Sequence, residues 1–378
     1  MDQEFVVELE RRRAAVVEAL EQGVLVLFSA SVHLRNGDVE HSYRQDSDFF
    51  YLTGLVEPEC ALVLSKKTGL VLFVREKNRE RETWDGRRIG VEGARELYGA
   101  ASAHPITELA ERLPDYLEDQ PAVHYLVAQE RAWDHTILDA MSAIRSRRRK
   151  RVAPPPVIVD ARLIVHQLRL HKSSFEQSKM LDVGALSAQA HARAMQACRP
   201  GMMEWELQNV IELEFRRQGA LRLAYDSIVG SGENSTILHY RENNRRMQEG
   251  DLVLIDAGAE KDYFAADITR TFPVSGKFSA VQARIYQIVL DAQLRAIDST
   301  VEGATLDQIH DVAWNVLRDG LIAEGLVTAE QQADPEQLKK RVNHFYMHRT
   351  SHYLGMDVHD VGAYYDGKSP RPLSRGNV

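Results

Sequence analysis

The sequence predicts an α+β protein of two domains. Its 378 residues exceed what one ordinary hydrophobic core accommodates, since a domain usually holds about 100 to 200 residues. Helical and strand-like patterns both occur along the chain, and Ser173-Ser174-Phe175-Glu176 forms a capping-box signature ahead of a long helical pattern. We therefore predict an N-terminal domain over residues 1–172 and a C-terminal domain over residues 173–378.

The first domain is predicted to be mixed α/β. Phe5, Leu9 and Val16 recur at helical spacing and Gly23 follows as a stop, which predicts a helix over residues 3–21. The other predicted elements, named from their apolar patterns, are strands at 24–29, 61–64, 70–74 and 123–127, the middle two forming a hairpin, and helices near 92–98, 107–118 and 134–145.

A basic run covers residues 145–151 and is followed by Pro154-Pro155-Pro156. Such a run can contact nucleic acid, act as a localisation signal, or form a solvated helix end before a stiff connector. Lys+Arg 47 against Asp+Glu 55 gives a net charge of -8, which does not favour a surface that neutralises phosphates. We therefore favour the solvated helix end and expect no nucleic-acid partner.

The second domain repeats one plan. Its patterns follow the order helix, helix, strands twice: helices at 175–198 and 203–218 before strands within 225–272, then helices at 279–301 and 305–325 before a segment rich in β-formers and histidine from residue 344 onward. The repeat predicts two halves whose strands join into one curved sheet backed by helices, with a site between them.

The cysteines and the apolar runs indicate the compartment. Cys60 and Cys198 are far apart in apolar surroundings, so we predict neither a disulfide nor a thiolate metal site, and a reducing environment. The longest apolar runs, 23–28 and 70–74, have the length of strands rather than of signal peptides or membrane spans. We predict a cytoplasmic protein without a membrane partner.

Asp256 and Asp267 are the clearest chemical signal. Asp256 follows an apolar run, and a turn centred on Lys261-Asp262 places Asp267 directly opposite it in an antiparallel pair. Carboxylates whose Cβ atoms are about 4.5 to 5.5 Å apart on a buried face repel each other unless a cation lies between them. The pair indicates a divalent metal site; alternatively, one aspartate is a turn residue and the other a cap.

Four histidines, His344, His348, His352 and His359, lie close together in the sequence. Glycines and alternating apolar residues between them predict loop and strand rather than a helical His-x-x-x-His zinc site. One imidazole beside carboxylates makes an oxygen-rich donor set that favours manganese, with cobalt, iron or zinc as alternatives. The other histidines could bind substrate or transfer protons.

A third segment, residues 225–240, contains glycines that permit close backbone approach, and His239 follows an apolar pair within it. The segment lacks the Lys-Ser/Thr ending of a phosphate-binding loop, and the chain has no Gly-x-Ser-x-Gly motif. These features favour a metal-centred mechanism over nucleotide binding or a serine nucleophile.

At these residues the sequence resembles the bacterial Xaa-Pro aminopeptidases of the pita-bread metallopeptidase family, and more distantly prolidase, methionine aminopeptidase and creatinase. The resemblance covers nearly the whole chain. It implies a C-terminal domain of the pita-bread fold, with a curved antiparallel sheet backed by helices. Its most specific segments are residues 43–54, 84–88, 229–240, 250–273 and 347–362.

The resemblance also implies roles for the candidate residues. Metal ligands for two Mn(II) ions match at Asp256, Asp267 and His352, with Asp267 bridging the ions. His239 and His359 match histidines that bind substrate and assist proton transfer. His348 and Tyr225 match residues around the metal centre. Trp84 and Asp38 match first-domain positions that reach a neighbouring subunit's active site.

The activity implied by the resemblance is removal of the N-terminal residue from peptides with proline in second position, by a hydroxide that two metals share. Proline's fixed φ and missing amide hydrogen permit a shaped apolar slot to select it. The first domain would serve oligomerisation, as a dimer or tetramer, and substrate access. Prolidase, which takes dipeptides, and an inactive protein that keeps the fold are the alternatives.

Family members supply two further glutamate ligands, an arginine and a tyrosine from strands beyond the position of Val378. Three ligands suit one ion better than a bridged pair. We therefore expect the chain to be a fragment of a longer enzyme, or a truncated product without activity, with a catalytic domain that is incomplete at its C-terminus.

Overall fold

The computed structural model describes residues 2–147 and 151–378. It divides into two compact units, Met1–Arg169 and Leu170–Val378. The boundary predicted from the sequence, between residues 172 and 173, lies close to this division. Among the described residues, no helix is long and apolar enough to cross a membrane.

A six-stranded mixed sheet forms the centre of the first unit. Three of its strands, β1 (Val24–Phe28), β4 (Ala61–Ser65) and β5 (Gly69–Val74), are buried along almost their whole length, because both faces of the sheet are covered. The strands of this unit are β1 (Val24–Phe28), β2 (Leu34–Asn36), β3 (Val39–Glu40), β4 (Ala61–Ser65), β5 (Gly69–Val74), β6 (Ser102–Pro105), β7 (Ala122–Tyr125) and β8 (Val157–Asp160). The sheet order is β6-β5-β4-β1-β7-β8, and β2 pairs with β3 in a separate hairpin.

Helices cover this sheet, and three of them begin at a polar capping side chain, namely Asp2, Asp46 or Asn78. The helices of the first unit are α1 (Gln3–Ala19), α2 (Ser47–Thr53), α3 (Arg79–Asp85), α4 (Gly90–Tyr98), α5 (Leu109–Leu117), α6 (Arg131–Ser146) and α7 (Arg162–Leu170). Asp46 caps α2 by accepting the amide of Phe49, and Gly54 ends it in the left-handed conformation. Residues 148–150 of the basic run lie outside the described residues, so its interpretation stays a prediction.

A buried ion cluster lies inside the first unit. The Asp48 carboxylate accepts hydrogen bonds from Arg169 Nη1 at 2.7 Å and His166 Nε2 at 3.0 Å. Burial alone raises the pKa of Asp48, but the charge of Arg169 and the hydrogen bond from His166 outweigh burial and lower it to about 2. The cluster therefore holds α2 against α7 through a carboxylate that stays ionised.

The helices of the second unit follow the predicted pattern and add two. Ser173 and Glu176 exchange hydrogen bonds at the start of α8, which confirms the predicted capping box. The two added helices, α12 (Ala329–Ala333) and α13 (Pro335–Phe345), were not predicted from the sequence. The helices are α8 (Ser174–Ala197), α9 (Glu204–Arg217), α10 (Ala280–Asp298), α11 (Leu306–Ala323), α12 (Ala329–Ala333) and α13 (Pro335–Phe345).

Two three-stranded antiparallel sheets follow α9, in the orders β10-β11-β14 and β13-β12-β9. After α13, the described residues form strands only in the short pair β15 and β16. The strands of the second unit are β9 (Arg222–Leu223), β10 (Ile228–Ser231), β11 (Leu252–Asp256), β12 (Ala259–Lys261), β13 (Phe264–Ala265), β14 (Thr269–Pro273), β15 (Tyr365–Asp366) and β16 (Ser369–Pro370).

The predicted register between Asp256 and Asp267 is wrong. The turn after β12 is centred on Asp262 and Tyr263, which both have positive φ, rather than on Lys261-Asp262. The turn centre therefore lies one residue later than predicted, and in antiparallel pairing this moves the partner by two positions, so Asp256 pairs with Thr269. Because side chains alternate along a strand, a two-position shift keeps the two carboxylates on one face.

Candidate active site

One tyrosine hydroxyl joins the two aspartates at the end of β11. Tyr225 donates a hydrogen bond toward Asp256, and its oxygen lies 2.8 Å from Oδ1 of Asp267. Asp256 occupies the last position of the central strand β11, between Ile228 of β10 and Thr269 of β14. The hydroxyl of Tyr225 therefore lies between the carboxylate at the end of β11 and the carboxylate of Asp267.

A close backbone approach places Asp267 beside this strand end. A Cβ on Gly258 would lie 1.7 Å from the carbonyl oxygen of Ala266, so only glycine fits. The amide of Ala257 donates to the Ile268 carbonyl at 3.1 Å, next to this contact. The two crossing segments thus hold Asp256 and Asp267 at fixed separation.

The two carboxylates have opposite electrostatic surroundings. Burial and the charge of Asp267 raise the pKa of Asp256, although hydrogen bonds from Tyr225 and Thr269 oppose this. For Asp267, hydrogen bonds from His352 and Tyr225 outweigh burial and lower the pKa. Burial and both carboxylates raise the pKa of the Tyr225 hydroxyl, which therefore stays protonated as a donor.

His352 faces Asp267, and His359 lies against His352. His352 Nε2 lies 3.1 Å from Asp267 Oδ2, and its Nδ1 lies 2.9 Å from the carbonyl oxygen of Tyr353. The hydrogen bond with Asp267 is the main cause that raises the pKa of His352. The rings of His352 and His359 meet edge to face with centroids 4.4 Å apart. The structure therefore brings together Asp256, Asp267, His352, His359 and Tyr225.

His239 follows a short 3₁₀ helix in an exposed loop, and its charge lowers the pKa of Asp256. The loop is anchored by Glu204, a fully buried carboxylate at the start of α9. Glu204 accepts hydrogen bonds from the Ser231 amide and hydroxyl, both at 2.7 Å, from the Tyr240 hydroxyl at 2.8 Å and from the Arg245 amide at 2.9 Å. Sequence analysis missed this anchor, because an isolated glutamate in a first helical turn indicates ordinary capping.

The other candidate residues lie in different surroundings. His348 is exposed, with its ring against Tyr346 and Nδ1 2.7 Å from the Arg349 carbonyl oxygen. His344 lies in the last turn of α13. In the first unit, Trp84 is in α3 with 83% of its surface exposed, and Asp38 lies in the exposed turn between β2 and β3. Roles for these four residues stay predictions.

The donor set fits a divalent cation in kind. Two carboxylates and one imidazole are ligands that Mn²⁺ accepts, and a histidine whose Nδ1 bonds a backbone carbonyl presents Nε2 for coordination. Among the described residues, no group of three or more His, Cys, Asp or Glu side chains is already arranged to hold an ion.

Two family models match this chain. The model of metallopeptidase family M24 matches residues 178–378, and that of the aminopeptidase P N-terminal domain matches residues 9–125. Since the first match covers more than half of the chain, the chain belongs to metallopeptidase family M24 and is an enzyme of that class.

Individual relatives extend the match over both domains. The chain is 40% identical to an Xaa-Pro aminopeptidase of Escherichia coli, over 98% of this chain and 85% of the relative, and 40% identical to one of Haemophilus influenzae, over 98% and 84%. A solved aminopeptidase structure from Pseudomonas aeruginosa superposes with a TM-score of 0.93 at 42% identity, covering 98% of this chain and 85% of that one. These matches confirm the resemblance to the Xaa-Pro aminopeptidases and the predicted two-domain fold with a pita-bread catalytic domain.

Proposed function

We propose that this chain is a manganese-dependent aminopeptidase that removes the N-terminal residue from peptides with proline in second position. The observation that carries the proposal is the cluster of Asp256, Asp267, Tyr225 and His352, in a chain 40% identical to an Xaa-Pro aminopeptidase. Two Mn(II) ions are the proposed cofactors, with cobalt, zinc or iron as substitutes. The cytoplasm is the proposed compartment.

Asp256, Asp267 and His352 are the proposed metal ligands. A divalent cation bound there supplies Lewis acidity for the attack of water on a peptide carbonyl. The lowered pKa of Asp267 keeps this carboxylate ionised, as a ligand that would hold a divalent cation must be. Tyr225 holds the two carboxylates together through its hydroxyl and lies where a substrate's free amine would approach acidic groups.

The proposed catalytic histidines are His239, His348 and His359. His359 touches the His352 ring, and this contact supports the proposal that it donates a hydrogen bond to a carbonyl oxygen that reacts beside His352. His239 acts on Asp256 from the exposed loop and is proposed to bind the peptide backbone and move a proton. Trp84 and Asp38 are proposed to bind substrate in a neighbouring subunit of a dimer or tetramer.

Substrate length and sequence test this function. With Mn²⁺ added, the chain should release arginine from Arg-Pro-Pro and leave Arg-Ala-Ala intact. Faster cleavage of the dipeptide Arg-Pro than of Arg-Pro-Pro would favour prolidase instead. No release from any of the three peptides, by the intact enzyme shown to bind Mn²⁺, would contradict the proposal.

A further inference from the structure

A buried ion pair lies behind the histidine segment. Lys172 Nζ donates to Asp360 Oδ2 at 2.8 Å, and the two side chains are only 2% and 1% exposed. A buried charge is costly unless it is paired, so neither side chain can lose its partner without penalty. Asp360 follows His359 directly in the chain.

The residues between the two histidines fold tightly around this pair. The Asp360 amide donates to the Tyr353 carbonyl at 2.9 Å, and the Gly355 amide donates to the Asp357 carbonyl at 3.1 Å. A Cβ on Gly355 would lie 2.2 Å from Asp360 Oδ2 and 3.0 Å from Lys172 Cε. The backbone therefore closes over the ion pair with no room for a side chain.

The same turn is tied to the aspartate hairpin. The amide of Ala265, in β13, donates to the Gly355 carbonyl at 2.9 Å. Ala265 precedes Asp267 by two positions, and His352 faces Asp267 just before the turn begins. The turn thus connects the ion pair on one side with the site on the other.

Lys172 is itself held at the start of the second unit. Its amide donates to the Gly376 carbonyl at 2.8 Å, and its carbonyl accepts Gln177 Nε2 at 2.9 Å from the first turn of α8. The long helix α8 begins at the next residue but one, after the Ser173 cap. The lysine is therefore a fixed point against which the turn can be held.

We propose that Lys172 and Asp360 are positioning residues: their ion pair holds the turn 353–360 so that His352 and His359 face Asp267. Neither side chain is proposed to contact substrate, since both are almost fully buried. The proposal rests on the proposed function for its kinetic consequences, but the holding of the turn can be measured without activity. Partners that orient functional histidines typically change activity by about 10- to 100-fold when removed.

The test compares Lys172→Met, Asp360→Asn and the double variant with the wild type. Lys179→Met is the matched control, since Lys179 pairs with Asp262 at 3.1 Å on the exposed surface of the same unit. Hydrogen exchange followed by mass spectrometry reports peptides covering residues 351–362 and β11. Kinetics on Arg-Pro-Pro with Mn²⁺ report kcat and KM separately. The double variant leaves no unpaired buried charge, so it provides a folded protein if a single variant does not fold.

We expect faster exchange in 351–362 with unchanged exchange in β11, and a kcat about 10- to 100-fold lower with KM within about threefold. The double variant should lose no more than either single variant, because the pair acts as a unit. Unchanged exchange in 351–362, or equal acceleration in both peptides, would overturn the proposal, as would wild-type kcat in the folded double variant. An inactive wild type would refute the proposed function, and the exchange result would then decide by itself whether the pair holds the turn.

Discussion

His352 Nε2 lies 3.1 Å from Asp267 Oδ2, although the two residues are 85 positions apart. The contact joins the histidine segment to the aspartate hairpin. It also raises the pKa of the histidine and lowers that of the carboxylate, so the two side chains stabilise each other as an ion pair. A divalent cation would compete for the same Nε2 and Oδ2 atoms, because both are metal ligands of the kind Mn²⁺ accepts.

Tyr225→Phe should strengthen the electrostatic repulsion between the carboxylates of Asp256 and Asp267. The variant loses the hydroxyl that donates toward Asp256 and lies 2.8 Å from Asp267, which we expect to cost about 1 to 3 kcal/mol of stability without metal. Saturating Mn²⁺ should raise the melting temperature of the variant more than that of the wild type, because the cation takes over the screening of the carboxylates. Thermal unfolding with and without Mn²⁺ measures both. Tyr365→Phe, at a half-exposed tyrosine bonded to Asp307, is the control. An equal shift for variant and wild type would contradict this account.

Gly258→Ala should disrupt the hairpin that carries Asp267. The new Cβ would lie 1.7 Å from the Ala266 carbonyl oxygen, so the two backbones must move apart. We expect a loss of about 2 kcal/mol or more in unfolding free energy, together with loss of Mn²⁺ binding. Gly184→Ala, inside α8 with open space around it, should instead stabilise the protein by about 0.5 to 1 kcal/mol. Urea unfolding measures the stability of both variants. Equal changes in unfolding free energy would show that the close approach of Gly258 to Ala266 does not contribute to stability.

Glu204→Gln should loosen the loop that carries His239. The neutral amide accepts the Ser231, Tyr240 and Arg245 donors less strongly and places an NH₂ group against one of them. We expect a loss of about 2 kcal/mol in stability and faster hydrogen exchange over residues 231–245. Glu242→Gln, at an exposed position of the same loop, is the matched control. The interpretation of Glu204 as an anchor fails if both variants exchange like the wild type.

Acid should remove the stabilising contribution of Asp48 to the first unit, whereas Asp46, whose pKa burial and the charge of Asp48 raise to about 6, contributes in the opposite direction. The pKa of Asp48 is lowered to about 2 in the folded chain, against 3.8 for an ordinary aspartate, so the folded state binds this proton less readily than the unfolded state. The resulting stability, about 2 kcal/mol, is fully present above pH 4 and disappears as the pH falls toward 2.

Urea unfolding between pH 5 and pH 2 measures this effect. Asp48→Asn should be less stable than the wild type at pH 5 and should lose less stability as the pH falls. Asp182→Asn, at an exposed carboxylate of α8, should keep the wild-type pH dependence. Parallel pH curves for the wild type and Asp48→Asn would contradict the account.

The amphipathic helices could be predicted from the sequence, and the fully buried helix α2 could not. The helix predicted over 3–21 is α1, and the Ser173 capping box opens α8 as expected, because both have the spacing and caps of surface helices. All residues of α2 are buried, so its sequence shows no apolar period. Its ends depend on Asp46 and Gly54, which are common in loops as well.

Candidate site residues could be proposed from the sequence, but the register between them could not be predicted. Asp256, Asp267 and the histidines were proposed from their residue types. The pairing of the two aspartates, however, depends on the centre of one turn. Tyr263 adopts a positive φ there, which a tyrosine rarely does, so the turn is centred one residue later than predicted. The anchors Glu204 and Lys172 could not be recognised because their partners are distant in sequence, and only the fold brings them together.

The most direct test of the central claim is the rate of arginine release from Arg-Pro-Pro by metal-stripped protein, measured before and after addition of Mn²⁺, for the wild type and for His352→Ala and Asp267→Asn. The account predicts release by the wild type only after Mn²⁺ is added, and at least about a 100-fold lower rate in both variants. Equal release by the metal-stripped wild type, or by either variant with Mn²⁺, would contradict a metal-dependent site at Asp256, Asp267 and His352.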